Sequence, residues 1–164
     1  MAFRRGSTLI SKFMSKKSLF LVIIQFSSFA FFAVAGSLFT PNYWLIAQII
    51  SLLIALWGVL AMKMGNFNIQ PEVKHHANMV SSGPYKIIRN PMYTGLLLFF
   101  GISVLVNFTT ETFVFSISRV LVFFILAFVL IMKITMEETF LTEKFGESYI
   151  NYKKKTYRLI PYIY

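Results

Sequence analysis

No cysteine occurs among the 164 residues. Disulfides, thiolate metal sites and a cysteine nucleophile are therefore excluded, and no metal site is expected. Charge is scarce as well. Only 13% of residues are charged, where a soluble domain carries about 25%. A surface so poor in charge points to lipid as the solvent for much of it. Acids are the rarest class, six against sixteen Lys and Arg, which leaves a formal net charge of +10. In a soluble protein that excess would suggest nucleic acid. Here the basic residues flank apolar runs and no base-contact module is present, so anionic lipid headgroups are the expected partner and nucleic acid is not.

What the chain does have is apolar sequence, 57% of its residues, in a length suited to one domain spanning 1–164. Four runs stand out, at about 19–39, 43–62, 93–108 and 113–132. A helix of about 20 residues crosses a 30 Å hydrocarbon core. The first, second and fourth runs meet that length and the third falls short. The first is read as a retained span: it exceeds a signal-peptide core, and Ala33-Val34-Ala35 is the nearest thing to a cleavage site. The fold class is thus all-α, an integral membrane bundle of about four transmembrane helices.

Basic residues orient it. Arg4, Arg5, Lys12, Lys16 and Lys17 precede the first run; Lys63, Lys74, Lys86 and Arg89 lie between the second and third; Lys133, Lys144, Lys153, Lys154, Lys155 and Arg158 follow the fourth. The turns at Pro41-Asn42 and 107–112 hold no basic residue and one acid, Glu111. By the positive-inside rule both termini and the loop 63–92 are cytoplasmic. Asn107-Phe108-Thr109, on the outer side, is formally a glycosylation sequon and carries no meaning in a bacterial host. Arg119 lies within the fourth run; it either faces a polar partner or snorkels to the outer surface.

The loop 63–92 is too long for a simple turn. It ends in Ser81-Ser82-Gly83-Pro84-Tyr85 and Arg89-Asn90-Pro91. Each proline removes a donor and pushes its predecessor out of helix, so a short pinned element is expected where the chain returns to the membrane. In the tail, 137–164, Leu141, Phe145, Tyr149 and Tyr152 recur at helical spacing, with a bend expected at Gly146. The opposite face is charged, as in an amphipathic helix lying under the bundle or on headgroups.

Two clusters invite chemistry: Gly83-Pro84-Tyr85 with Arg89-Asn90-Pro91-Met92-Tyr93 and Gly95, and the adjacent acids Glu137-Glu138 at the end of the fourth run. Both fall at one membrane face. Two neighbouring carboxylates repel unless a cation or a hydroxyl-bearing ligand offsets them. Plain ion pairing with Lys133, Lys144 or the 153–155 lysines would also do so.

The first cluster resembles the Gly-Pro-Tyr…Arg-His-Pro-x-Tyr-x-Gly signature of the isoprenylcysteine carboxyl methyltransferase family, which the phospholipid methyltransferases largely share. Glu137-Glu138-x-x-Leu141, Phe145-Gly146-Glu147, Tyr149, Tyr152 and Pro161 are similar to that family's Glu-Glu-x-x-Leu…Phe-Gly-x-x-Tyr…Tyr…Pro pattern, and Asn66-Phe67-Asn68 and Met79-Val80-Ser81-Ser82 resemble its approach to the signature. The likeness spans about 66–161. It implies an S-adenosylmethionine-dependent methyltransferase, with the cofactor in a cytoplasmic pocket formed by loop and tail and a lipidated or hydrophobic acceptor entering from the bilayer. The resemblance makes Arg89 and Glu138 the catalytic pair. It makes Val80, Gly83, Tyr85, Asn90, Pro91, Tyr93, Gly95, Glu137 and Glu138 the cofactor-binding set. The expected acceptor is a carboxylate of isoprenylcysteine type, which needs no general base. A phospholipid or other amine is the alternative; it must first lose a proton, for which His75 and His76 are the available histidines.

Two departures bear on this. Asn90 stands where the family has His, and can hydrogen-bond but not take a charge. Ala77 stands where the family often has another His. They motivate a third reading, a non-catalytic membrane scaffold. A fourth is a nicotinamide-dependent sterol-type reductase, whose Arg-His-Pro-Asn-Tyr-x-Gly-Glu segment is similar. Met92 and Leu96 replace its Asn and Glu here and argue against it.

Overall fold

The computed structural model describes the backbone of residues 2–66 and 79–164 and the side chains of 16–62 and 79–164. His75, His76, Ala77 and the Phe67-Asn68 pair lie outside them. The elements are α1 (Ala2–Val34), α2 (Tyr43–Asn66), a 3-10 turn (Gly83–Lys86), α3 (Pro91–Asn107), α4 (Phe113–Phe145) and α5 (Glu147–Lys155), with no strand among the described residues. Lys16–Val34, Tyr43–Met62 and Phe113–Phe145 are long and apolar enough to cross a membrane; α3 is a shorter apolar helix of 17 residues. Large apolar side chains such as Phe20, Leu60, Leu105 and Phe124 point outward and are more than half exposed, while Phe32, Leu126, Leu130 and Ile134 are fully enclosed. An apolar exterior around an apolar core is the pattern of a membrane helix bundle.

The helix ends differ from the hydropathy boundaries for local reasons. α1 stops at Val34 and not at Phe39, because Gly36 takes φ +85° and turns the chain out of the helix. α4 has no breaker between Met132 and Phe145, so it runs 33 residues to Gly146, and Glu137 and Glu138 ride on it rather than on a separate tail. At about 1.5 Å per residue it is roughly 50 Å long, well beyond a 30 Å hydrocarbon core. The bend expected at Gly146 is there, at φ +56°.

α2 and α3 approach most closely. A Cβ on Gly95 would lie 2.5 Å from the Ser51 carbonyl oxygen, and one on Gly58 would lie 3.0 Å from the Met92 nitrogen. Small residues on both helices let the backbones touch, the usual route to tight packing where lipid removes any hydrophobic drive between helices.

The end of the bundle remote from the two motifs is closed by a polar plug. Gln48 is buried, accepts from the Thr40 N–H (2.8 Å) and Oγ1 (3.0 Å), and donates to the Leu38 carbonyl (3.1 Å). Arg119 has a polar partner and does not snorkel: it is 1% exposed, pairs with Glu111 at 2.5 Å, and donates to Ser37 O (2.9 Å) and Ser103 Oγ (2.6 Å). The Asn107 amide is committed to Ser37 O and Ser103 O, both at 3.0 Å, so the asparagine of the formal sequon is buried at only 4% exposure.

Candidate functional site

The site begins at the pinned turn. Gly83 takes φ +59° and opens the 3-10 turn that carries Pro84 and Tyr85. Beyond it the chain forms a parallel bridge between Ile88 and Tyr157 of the C-terminal strap: Arg89 N–H donates to Tyr157 O (2.8 Å) and Tyr157 N–H donates to Ile87 O (2.9 Å). Pro91 then starts α3, where its missing N–H costs nothing. Asn90 occupies the N-cap but its side chain makes no cap bond; it reaches sideways and donates to Arg158 O at 3.0 Å. Thr94 Oγ1 donates to Leu159 O at 2.8 Å, and Leu159 is buried in the core beside Tyr93. The strap is thus stitched residue by residue to the start of α3.

α4 brings the acids. Neighbouring helical residues point about 100° apart, so Glu137 and Glu138 diverge. Tyr93 Oη donates to Glu137 Oε1 at 2.6 Å. Arg89 Nε donates to Glu138 Oε1 at 2.9 Å, while Arg89 Nη1 donates to Lys153 O (3.0 Å) and to Thr156 O. The other Glu138 oxygen faces Arg158 Nε at 3.3 Å and Lys153 Nζ at 3.8 Å. Divergence and three cations relieve the repulsion that adjacent carboxylates would feel. Lys133, one turn before Glu137, donates to Gln25 Oε1 at 2.6 Å and lies 5.6 Å from the Tyr93 ring centroid.

Beside Glu138 lies a cavity of about 530 Å³, within the usual range for small-molecule sites. Its wall carries three cations, Arg89, Lys153 and Arg158, two carboxylates, Glu138 and Glu143, and the α4 threonine hydroxyls of Thr135, Thr139 and Thr142. Both charge signs and several hydroxyls converge, which suits a zwitterionic ligand with a diol. Three phenols flank the turn and α5. Burial first, then the Glu137 charge, pushes Tyr85 above the ordinary tyrosine value. Burial and Glu138 do the same to Tyr149, against the opposing pull of Arg89. Tyr152 is pushed up to about 12, chiefly by burial, again partly opposed by Arg89. All three remain neutral donors at physiological pH; the Tyr152 hydroxyl donates to Tyr85 O at 2.7 Å.

The structure therefore brings Arg89, Asn90, Tyr93, Glu137 and Glu138 into one assembly. Gly95 is not part of it: Ser51 and Ala55 of α2 fill the space above it, so it serves helix packing and leaves no room for a ligand. Gly83 and Tyr85 sit at the approach, Gly83 against Trp57 and Ala61. Val80 is half-buried ahead of the turn. The expected ion pairing of the acids with the 153–155 lysines is met at Lys153, while the motifs gave no role to Arg158 or the α4 threonines. The sequence carried no distinct signal for Arg158, which follows the Lys153-Lys154-Lys155 run and reads as one more basic residue of the tail.

The phospholipid methyltransferase family model matches residues 31–148, from the end of α1 into α5. No curated protein gave a match. The matched stretch takes in the pinned turn, α3 and both acids of α4, so the chain belongs to the phospholipid methyltransferase family, and is a membrane-embedded methyltransferase by descent.

Proposed function

We propose that the protein transfers a methyl group from S-adenosylmethionine to a lipid-borne acceptor at the cytoplasmic face of its membrane. The observation that supports this most strongly is the meeting of Arg89 with Glu138 beside a cavity of mixed charge, within the family-matched stretch, with Tyr93 bonded to Glu137 on the neighbouring face of α4. The cofactor carries a carboxylate, an ammonium, a sulfonium and a ribose diol. The cavity offers cations for the first, carboxylates for the next two and threonine hydroxyls for the last. When bound, the group supplies an electrophilic methyl and leaves as a neutral thioether. Among the described residues, Lys86 and Arg89 before α3 and the basic residues of α5 and strap lie at this end of the bundle, which supports a cytoplasmic location by the positive-inside rule.

The chain's part in such a reaction is to hold two reactants at contact distance and exclude water, which can supply several kcal/mol. Glu138, fixed by three cations, keeps its carboxylate aimed into the cavity. Arg89 ties the turn, α4, α5 and strap together. Its Nε and Nη1 are already engaged, which weakens the expectation that it holds an acceptor carboxylate. Glu137 with the Tyr93 hydroxyl offers a place to take the proton that an ammonium acceptor must lose. Together with the family match this favours an amine-bearing phospholipid headgroup as acceptor. A prenylated cysteine carboxylate is the second reading, favoured by the Gly83-Pro84-Tyr85…Arg89-x-Pro91 signature. Vesicle-reconstituted protein given methyl-labelled S-adenosylmethionine, host lipid extract and prenylated cysteine analogues tests both. Label in the lipid fraction supports the first acceptor, label in the prenylated analogue supports the second, and label in neither leaves the scaffold reading standing.

A further inference from the structure

Arg158 lies in the strap after α5, beyond the matched stretch and outside both motifs. Its placement is nonetheless tight. Nη2 donates to Thr135 Oγ1 (2.8 Å), Nη1 donates to Tyr164 Oη (2.5 Å), and Nε is buried 3.3 Å from Glu138 Oε2, without a hydrogen-bond acceptor among the described residues. A guanidinium carries five N–H donors. Two are used here, and the group sits on the wall of the mixed-charge cavity. The backbone of Arg158 is held by Asn90, whose amide donates to its carbonyl, and the neighbouring Tyr157 and Leu159 are held by the Arg89 N–H and Thr94 Oγ1.

We propose that Arg158 binds the carboxylate of the cofactor's amino-acid tail, and that Asn90 acts as its positioning residue by fixing the register of the strap. The donors left over carry this assignment. Arg89 Nε and Nη1 are committed to Glu138 and to the carbonyls of Lys153 and Thr156, whereas Arg158 Nε on the same wall has no acceptor among the described residues. An amino-acid tail brings one carboxylate and one ammonium; Arg158 takes the first, while Glu143, on the same wall, answers the second. A bare phosphate would leave Glu143 facing an anion. The proposal also gives Asn90 a task that needs only a neutral donor, so a side chain unable to take a charge suffices there. It rests on the methyltransferase reading above.

The test is calorimetric titration of the purified protein with S-adenosylhomocysteine and with 5′-methylthioadenosine, the related thioether without carboxylate or ammonium. Loss of one charge-assisted contact weakens binding about ten- to a hundredfold. Arg158→Gln is expected to weaken the first ligand by that factor and the second by less than about threefold. Arg158→Lys, which keeps the charge, is expected to fall between. Asn90→Ala is expected to shift binding in the same direction as Arg158→Gln, and the double variant to lose little more than Arg158→Gln alone, since coupled residues are not additive. Equal weakening of both ligands by Arg158→Gln would overturn the carboxylate assignment while leaving the methyltransferase reading intact. Additive losses in the double variant would overturn the role of Asn90. Binding of neither thioether by the wild-type protein would overturn this proposal together with the reading it rests on. If Arg158→Gln leaves both thioethers unchanged but weakens binding of short-chain phosphatidylglycerol, the anion is a lipid phosphate and the proposal falls.

Discussion

Arg89 joins four pieces of the chain through one planar group: the turn that bears it, Glu138 on α4, the last turn of α5 through Lys153 O, and the strap through Thr156 O. A lysine has one ammonium and cannot reproduce that fork. Arg89→Lys is therefore expected to lower methyl transfer at least about tenfold while the bundle stays helical, as read by a labelled-methyl assay beside circular dichroism. Among the described residues, Glu138 is the acid that Arg89, Lys153 and Arg158 all face. Removing its charge leaves three cations together, and breaking a buried pair costs about 3–5 kcal/mol. With a partly exposed Lys153 the lower end applies. Glu138→Gln is expected to abolish activity and to lower the thermal midpoint measurably. At Tyr152 the sign runs the other way from an acid-labile group. Its folded value, about 12, lies above the unfolded value near 10, so its contribution is whole below pH 10 and is lost as pH rises toward 12. Melting curves between pH 9 and 12 should fall less steeply for Tyr152→Phe than for wild type.

Elements are held by different means at the two ends of the bundle. Near the site, α2 and α3 touch through glycine, and Gly95→Ala would push a methyl group into the Ser51 carbonyl. Overpacking of this kind costs about 1–3 kcal/mol; thermal denaturation should show that loss, with thioether affinity unchanged in the folded protein because Gly95 faces α2. At the remote end, the loop after α1 is clamped by Gln48, Ser103, Asn107 and Arg119. Glu111→Leu would leave the Arg119 guanidinium buried without its counter-charge, so the expected loss is again about 3–5 kcal/mol, and Arg119→Met combined with Glu111→Leu should recover much of it. The cost falls on stability alone, since the plug is at the opposite end from the cavity.

For the molecule as a whole, the sequence made some features legible and hid others, and the physics of each explains which. Long apolar runs are a strong signal, so the membrane bundle and most helix positions could be read directly. Where α1 ends could not, because Gly36 interrupts an unbroken hydropathy run by backbone conformation rather than by polarity. Proline spacing foretold the pinned turn, and the two motifs foretold that Arg89 would face the α4 acids. Gly95 carried the motif yet serves packing, because a glycine that admits a ligand and one that admits a helix look the same in sequence. Arg158 and Asn90 were harder still: their bond crosses 68 residues and joins a side chain to a backbone carbonyl, which no side-chain pattern records. Arg119 stood open between two readings, since only its distance to Glu111 separates a buried pair from a snorkelling charge.

On the proposed reading, Arg89 at the pinned turn and Glu138 on α4 border the pocket of one sulfonium-type ligand. Thermal stabilisation of the purified protein by S-adenosylhomocysteine, compared with NADPH and repeated on Glu138→Gln, tests it most directly, because a ligand raises the stability of the state it binds. The midpoint is expected to climb with thioether concentration in wild type, to be unmoved by NADPH, and to respond little in the variant. Protection by NADPH, or equal protection of wild type and Glu138→Gln by the thioether, would contradict that reading.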